Sequence, residues 1–112
     1  DDKPSLRLQA KRVQRPLRVG GVTVSARASE GSRIVAGGTV ALPGDSGIQL
    51  IGARGRTVSE RATRLVLRLR RPARRKMTGA FEKRRRLTAK ITVTAKNDGR
   101  STVAAYRVKL RR

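Results

Sequence analysis

The stretch Leu87–Leu110, LTAKITVTAKNDGRSTVAAYRVKL, decides the fold class. Leu87, Ala89, Ile91, Val93 and Ala95 alternate with Thr88, Lys90, Thr92 and Thr94, a period of two that marks a half-buried strand. Asn97-Asp98-Gly99 then supplies turn chemistry, and a second alternating run follows. With Asp98-Gly99 at the centre of a two-residue type I′ turn, Ala95 faces Thr102, Val93 faces Ala104, Ile91 faces Tyr106, Ala89 faces Val108 and Leu87 faces Leu110. A three-residue loop would set Ala89 against Arg107 and Leu87 against Lys109. A one-residue slip turns an entire face over, so the first register is predicted. It also sets Lys90 opposite Arg107 and Arg86 opposite Arg111 on the outer face. Like charges across a ladder destabilise it by about 0.2–1 kcal/mol per pair, an arrangement that favours a face receiving an anionic partner.

The same period runs upstream. Leu6, Leu8 and Ala10 alternate with Arg7, Gln9 and Lys11; Val22, Val24, Ala26 and Ala28 alternate with Thr23, Ser25 and Arg27; Leu65, Leu67 and Leu69 alternate with Arg64, Val66, Arg68 and Arg70. Weaker strands are expected through Arg33–Leu42 and Ile48–Ala53. Turn-prone residues at Gly20-Gly21, Glu30-Gly31-Ser32, Gly37-Gly38 and Pro43-Gly44-Asp45 separate the runs. One segment departs from the pattern. Pro72 to Lys83 reads as a short helix with Pro at its first turn, and Ala73, Met77 and Phe81 form an apolar stripe that covers an open end. The predicted fold class is all-β: an immunoglobulin-like antiparallel β-sandwich of about seven strands with one short crossover helix. Residues 1–112 read as a single domain, with 1–14 an extended N-terminal segment.

Composition bounds the chemistry. The chain has 112 residues, one Phe, one Tyr, no Trp, no Cys and no His. A core of Val, Leu, Ile and Ala suits two thin sheets packed face to face. Thiol nucleophiles, imidazole bases and the commonest zinc ligands are missing together. No two of the seven carboxylates are spaced for acid–base work; only Asp1-Asp2 offers adjacent oxygens for a hard cation. Gly52-Ala53-Arg54-Gly55-Arg56 superficially suggests a phosphate loop, but it lacks the Lys-Ser/Thr ending, so a plain β-turn is the expectation. The chain is expected to be no enzyme and to need no cofactor or metal.

The net charge is +22, from 29 basic and 7 acidic residues, and such a surface attracts polyanions. Fourteen of the basic residues lie between Arg54 and Arg86. The candidate anionic-polymer surface is Arg68, Arg70, Arg74, Arg75, Lys76, Arg84, Arg85 and Arg86, extended by Lys90 and Arg107. Nucleic acid, cell-wall polymer, acidic polysaccharide and anionic lipid are candidate partners. The chain opens Asp1-Asp2-Lys3-Pro4 without an initiator Met, and no apolar run approaches a membrane span. A processed or recombinant product, from which any signal peptide has been removed, is expected.

The stretch from Leu6 to Arg112 resembles the Arg-rich, immunoglobulin-like β-sandwich modules of secreted and cell-surface proteins from high-GC actinobacteria. The resemblance rests on the Leu-Arg-Leu-Arg strand at Leu67–Arg70 and the Arg-rich crossover Pro72–Arg86. It continues through the Thr-Ala-Lys-Ile-Thr-Val-Thr-Ala strand at Thr88–Ala95, the Asn-Asp-Gly turn and the closing Val-Lys-Leu-Arg-Arg. Such modules often bear a Cys pair in the first half; Ser25–Arg33 has none. The resemblance implies a domain usually appended to a longer protein, without a catalytic motif.

Two functions compete. The first is a secreted or cell-surface structural module that associates with itself or with other surface proteins. In it the extended segment Leu6, Leu8, Ala10 and Val13 either pairs with a neighbouring subunit, building a filament by strand addition, or forms the first strand of its own domain. The second is a sequence-non-specific nucleic-acid binder. The charge supports it, whereas the scarcity of aromatics argues against single-strand readout.

Overall fold

The computed structural model describes residues 5–42, 47–58 and 60–112. The Pro43-Gly44-Asp45 turn and the Asp1-Asp2 pair lie outside the described residues.

The decisive stretch forms a hairpin. Strand β7 (Leu87–Asn97) pairs antiparallel with β8 (Arg100–Leu110), with Asp98 and Gly99 between them at φ 47° and 79°. Both central residues need positive φ in a type I′ turn, whose twist matches that of the flanking strands. Ile91 lies opposite Tyr106 and Leu87 opposite Leu110, the predicted register. The paired ladder ends at that last pair, one residue short of Arg86 and Arg111.

Six shorter strands complete two sheets. β1 (Leu6–Gln9), β3 (Gly21–Ala28) and β6 (Ala62–Arg68) form one, in the order β1-β3-β6. β2 (Val13–Gln14), β4 (Ser32–Ala41) and β5 (Ile48–Thr57) join the hairpin in the other, in the order β2-β8-β7-β4-β5. All pairings are antiparallel except β2 with β8. The protein is thus mostly β, with two sheets and few helices.

Residues of alternating period meet between the sheets. Val22, Val24, Leu67, Ile34, Val40, Ile91, Val93 and Val108 are fully or almost fully buried. The predicted helix is α2 (Arg71–Glu82), one residue earlier at each end than expected. Met77 is completely buried and Ala73 nearly so; Ala80 is buried and Phe81 half-buried, so Ala80 shares the stripe's last turn. Helix α2 carries the chain from β6 in one sheet to β7 in the other. Gly21 permits β3 and β6 to pair closely: a Cβ there would sit 2.3 Å from the Leu67 carbonyl oxygen.

Several local expectations are corrected. Gly52–Arg56 is no turn but the second half of β5, where Arg54 and Arg56 point out and Ala53 and Gly55 point in. The period was hidden because Ala53 and Gly55 carry little or no side chain, and at Gly55 a Cβ would meet Leu65 Cδ2 at 3.3 Å. Gly37-Gly38 is a register shift inside β4, not a separator. Of Gly20-Gly21, only Gly20 turns. It ends a one-turn helix, α1 (Pro16–Val19), in the left-handed region, and Gly21 opens β3. The one-turn pair of Pro at the first position and Gly just past the end was present in the sequence but too short to give an apolar period.

The two sheets join differently at their two sides. At one, β5 and β6 follow one another in the chain and pack together, and Thr63 Oγ1 donates to the Arg56 carbonyl at 2.9 Å. At the other, the N-terminal segment switches sheets. Leu6 and Leu8 pair with Ala28 and Ala26 of β3, and Val13 and Gln14 then pair with Lys109 and Leu110. The Gln14 side chain crosses back. Its Oε1 accepts from Thr23 N–H at 2.8 Å and its Nε2 donates to Thr23 C=O at 2.8 Å, as a paired strand residue would.

Candidate polyanion surfaces and open sheet edge

The ten cations singled out from sequence occupy several places rather than one. Arg68 is exposed on the outer face of the β1-β3-β6 sheet. Arg70 precedes α2, and Arg74, Arg75 and Lys76 line the helix's exposed side. Arg74 Nη2 donates to the Leu17 carbonyl at 3.0 Å, which ties α2 to α1. Lys90 and Arg107 face each other on the outer surface of the five-stranded sheet, as the register requires.

Arg84, Arg85 and Arg86 are brought together with residues that sequence reasoning did not list as a site. A groove of about 550 Å³ at the end of the hairpin is lined by Arg84, Arg85, Arg86, Lys109, Arg111 and Arg112, floored by Phe81 and Leu87. No carboxylate side chain lines it. The hairpin register carried the missing signal, since it brings Lys109 and Arg111 beside the residues that follow α2.

Backbone strain accompanies this groove. Arg85 N–H donates to Ala80 C=O at 3.0 Å and Arg84 N–H to Phe81 C=O at 2.9 Å, which closes α2 as a Schellman motif. Its left-handed position is usually Gly, and here it is Arg84, at φ 57°. An L side chain there costs about 1–2 kcal/mol. Strained positions of this kind cluster at binding sites, where the side chain matters more than the local stability.

The second feature is an edge. Lys109 N–H donates to the Arg12 carbonyl at 2.8 Å, so its backbone groups point away from β7. Groups alternate along a strand, so those of Ser101, Val103, Ala105 and Arg107 point the same way. No described strand pairs with them, because β2 reaches only Lys109 and Leu110. Inward-facing Thr102, Ala104 and Tyr106 on this stretch are only half-buried, and Val103 is 61 % exposed. Tyr106 OH donates to Ala10 C=O at 3.1 Å, a contact across the seam between β8 and β1. Natural edges are usually blunted by charge, Pro or a bulge; Ser101, Val103 and Ala105 offer none of these.

The residues assigned to assembly also lie at this seam. Leu6, Leu8 and Ala10 are half-buried against the core and Val13 is exposed; Leu6, Leu8 and Val13 pair with strands of the same chain, and the Ala10 carbonyl accepts from Tyr106. Among the described residues no group of three or more His, Cys, Asp or Glu could hold a metal ion, and no helix is long and apolar enough to cross a membrane.

No family model matches the chain, and no curated protein matches it. Among solved structures it is similar to the E. coli chaperone DraB, with a TM-score of 0.60 and 18 % identity. The match covers 96 % of this chain and 55 % of that one, so the chain spans about half of DraB's length. A protein from Archaeoglobus fulgidus aligns over 96 % of this chain and 94 % of its own, at 12 % identity and a TM-score of 0.44.

Proposed function

We propose that this chain is a non-enzymatic, secreted or cell-surface assembly module of the immunoglobulin-like sandwich class. In this reading it binds an extended segment of another polypeptide along β8. The observation that carries the proposal is the strand edge at Ser101, Val103, Ala105 and Arg107, whose outward backbone groups no described strand pairs; the stretch is uncharged from Ser101 to Tyr106 and backed by half-buried Thr102, Ala104 and Tyr106. An added strand satisfies the outward N–H and C=O groups and covers those side chains, and alternate residues supply specificity. The fold shared with a protein named a chaperone supports the reading, since chaperones engage other polypeptides.

Proline at an outward-pointing backbone position tests it. Ala105→Pro removes an N–H that faces the open edge and leaves the β7–β8 ladder intact, a placement that edge strands tolerate. Extended peptides selected from an unbiased library against the parent protein are expected to slow amide exchange at Val103, Ala105 and Arg107. They are expected not to bind the Ala105→Pro variant, whose circular dichroism matches the parent. Undiminished peptide binding to that variant would exclude strand addition at β8.

A further inference from the structure

We propose that the outer faces of the two sheets bind phosphodiester polymer at the same time, and that the protein bridges neighbouring polymer chains. This inference does not depend on strand addition at β8. It starts from the cross-strand registers. On the three-stranded sheet Arg7 lies opposite Arg27. On the five-stranded sheet Arg33 lies opposite both Arg56 and Lys96, and Lys90 lies opposite Arg107. All seven side chains are exposed. Arg64 and Arg68 of β6 add to the first face, opposite Ser25 and Gly21. No described strand contains an Asp or Glu; the described carboxylates, Glu30, Glu60, Glu82 and Asp98, lie in turns or in α2. Wherever two charged residues meet across a described ladder, both are cations.

Such pairs weaken a ladder in isolation and strengthen it when an anion lies over both. The same device recurs on two faces whose buried partners, such as Val24 and Ile91, fill the space between them. The faces therefore point in opposite directions. The molecule is 20 Å across its shortest axis. The Debye length at physiological salt is about 8 Å, so a polymer on one face does not repel a polymer on the other.

The chemistry selects phosphodiester. Arg provides seven of the nine named cations, and its planar fork takes two oxygens of one phosphate. Cross-strand cations stand about 5 Å apart and successive same-face residues about 7 Å apart. A duplex, with a charge every ~1.7 Å of axis, meets that density. A polymer with sparse carboxylates leaves one cation of each pair uncompensated. Phe81 and Tyr106 are both half-buried, so the faces carry no aromatic platform for bases and the contact is to the backbone alone.

The experiment measures binding and bridging separately. Duplex DNA is immobilised, protein is bound, and capture of a second, labelled duplex is recorded; a glycerol-phosphate polymer and a carboxylated polysaccharide are run in parallel. One variant carries Arg7→Ser, Arg27→Ser and Arg64→Ser; another carries Arg33→Ser, Lys90→Ser and Lys96→Ser. Circular dichroism establishes that each remains folded. The parent is expected to bind and bridge. Each variant is expected to bind the first duplex through its intact face and to capture no second duplex. Bridging of duplex, of glycerol-phosphate polymer or of both supports the proposal, and the tighter of the two identifies the source. Bridging of neither overturns it. Undiminished capture by either variant also overturns it, since self-association would then be the bridge. Equal bridging of the carboxylated polysaccharide overturns the phosphodiester assignment.

Discussion

Replacing Gln14 with Ala removes the side chain that staples the two sheets at their seam. The amide makes two bonds of 2.8 Å to the backbone of Thr23, one as donor and one as acceptor. A neutral hydrogen bond contributes about 0.5–1.5 kcal/mol net, so the pair contributes about 1–3 kcal/mol. Thr23 is half-buried, so water recovers part of what is lost and the lower half of that range is expected. For a domain of this size the loss lowers the melting temperature by about 4 °C per kcal/mol, or about 4–8 °C at the expected cost. Gln14→Met separates bonding from packing, because it keeps the apolar stem and removes the two bonds to Thr23 together with the longer one from Nε2 to the Lys11 carbonyl. Thermal unfolding by circular dichroism measures the cost, and amide exchange localises it. Thr23 N–H is expected to exchange faster in both variants, while Val93 N–H, deep in the hairpin, changes only through global stability. Melting temperatures of both variants within about 1 °C of the parent, with Thr23 still protected, would refute the staple. Recovery by Met alone would assign the effect to packing.

Three further outcomes follow from the packing and the backbone. Gly21→Ala drives a Cβ to 2.3 Å from the Leu67 carbonyl oxygen and is expected to destabilise by about 3 kcal/mol in denaturant unfolding; Gly37→Ala, with nothing within 4 Å, is expected to stay within about 1 kcal/mol of the parent. Met77→Ala empties a completely buried site and is expected to cost about 2–5 kcal/mol, read by the same unfolding curves. Arg84→Gly relieves a left-handed Arg and is expected to raise stability by about 1 kcal/mol while weakening duplex binding at matched salt; a variant no more stable than the parent would deny the strain.

Period and turn chemistry by themselves determined the hairpin. Its inward residues are all uncharged and include Leu87, Ile91, Val93, Val108 and Leu110, so a slipped register would expose Ile91 and Val93 and bury Lys90, and Asn97-Asp98-Gly99 admits the turn that the register needs. The crossover helix was legible for a similar reason, because Pro72 and the Ala73–Met77 spacing act locally. The second half of β5 was not legible. Its inward Gly55 leaves little room for a side chain because Leu65 and Thr63 of the other sheet crowd it, and those neighbours are ten and eight residues away in the chain. The basic surface divided in the same way. Sequence alone determined how many cations there are and which alternate outward. Only the tertiary structure decided that Arg84–Arg86 meet Lys109, Arg111 and Arg112 in one groove, and that Arg33 stands between Arg56 and Lys96. It also decided which strand edge stays open, because that depends on where the N-terminal segment leaves one sheet for the other. Local rules act over a few residues, and meetings between distant strands follow from how the sheets close on a shared core.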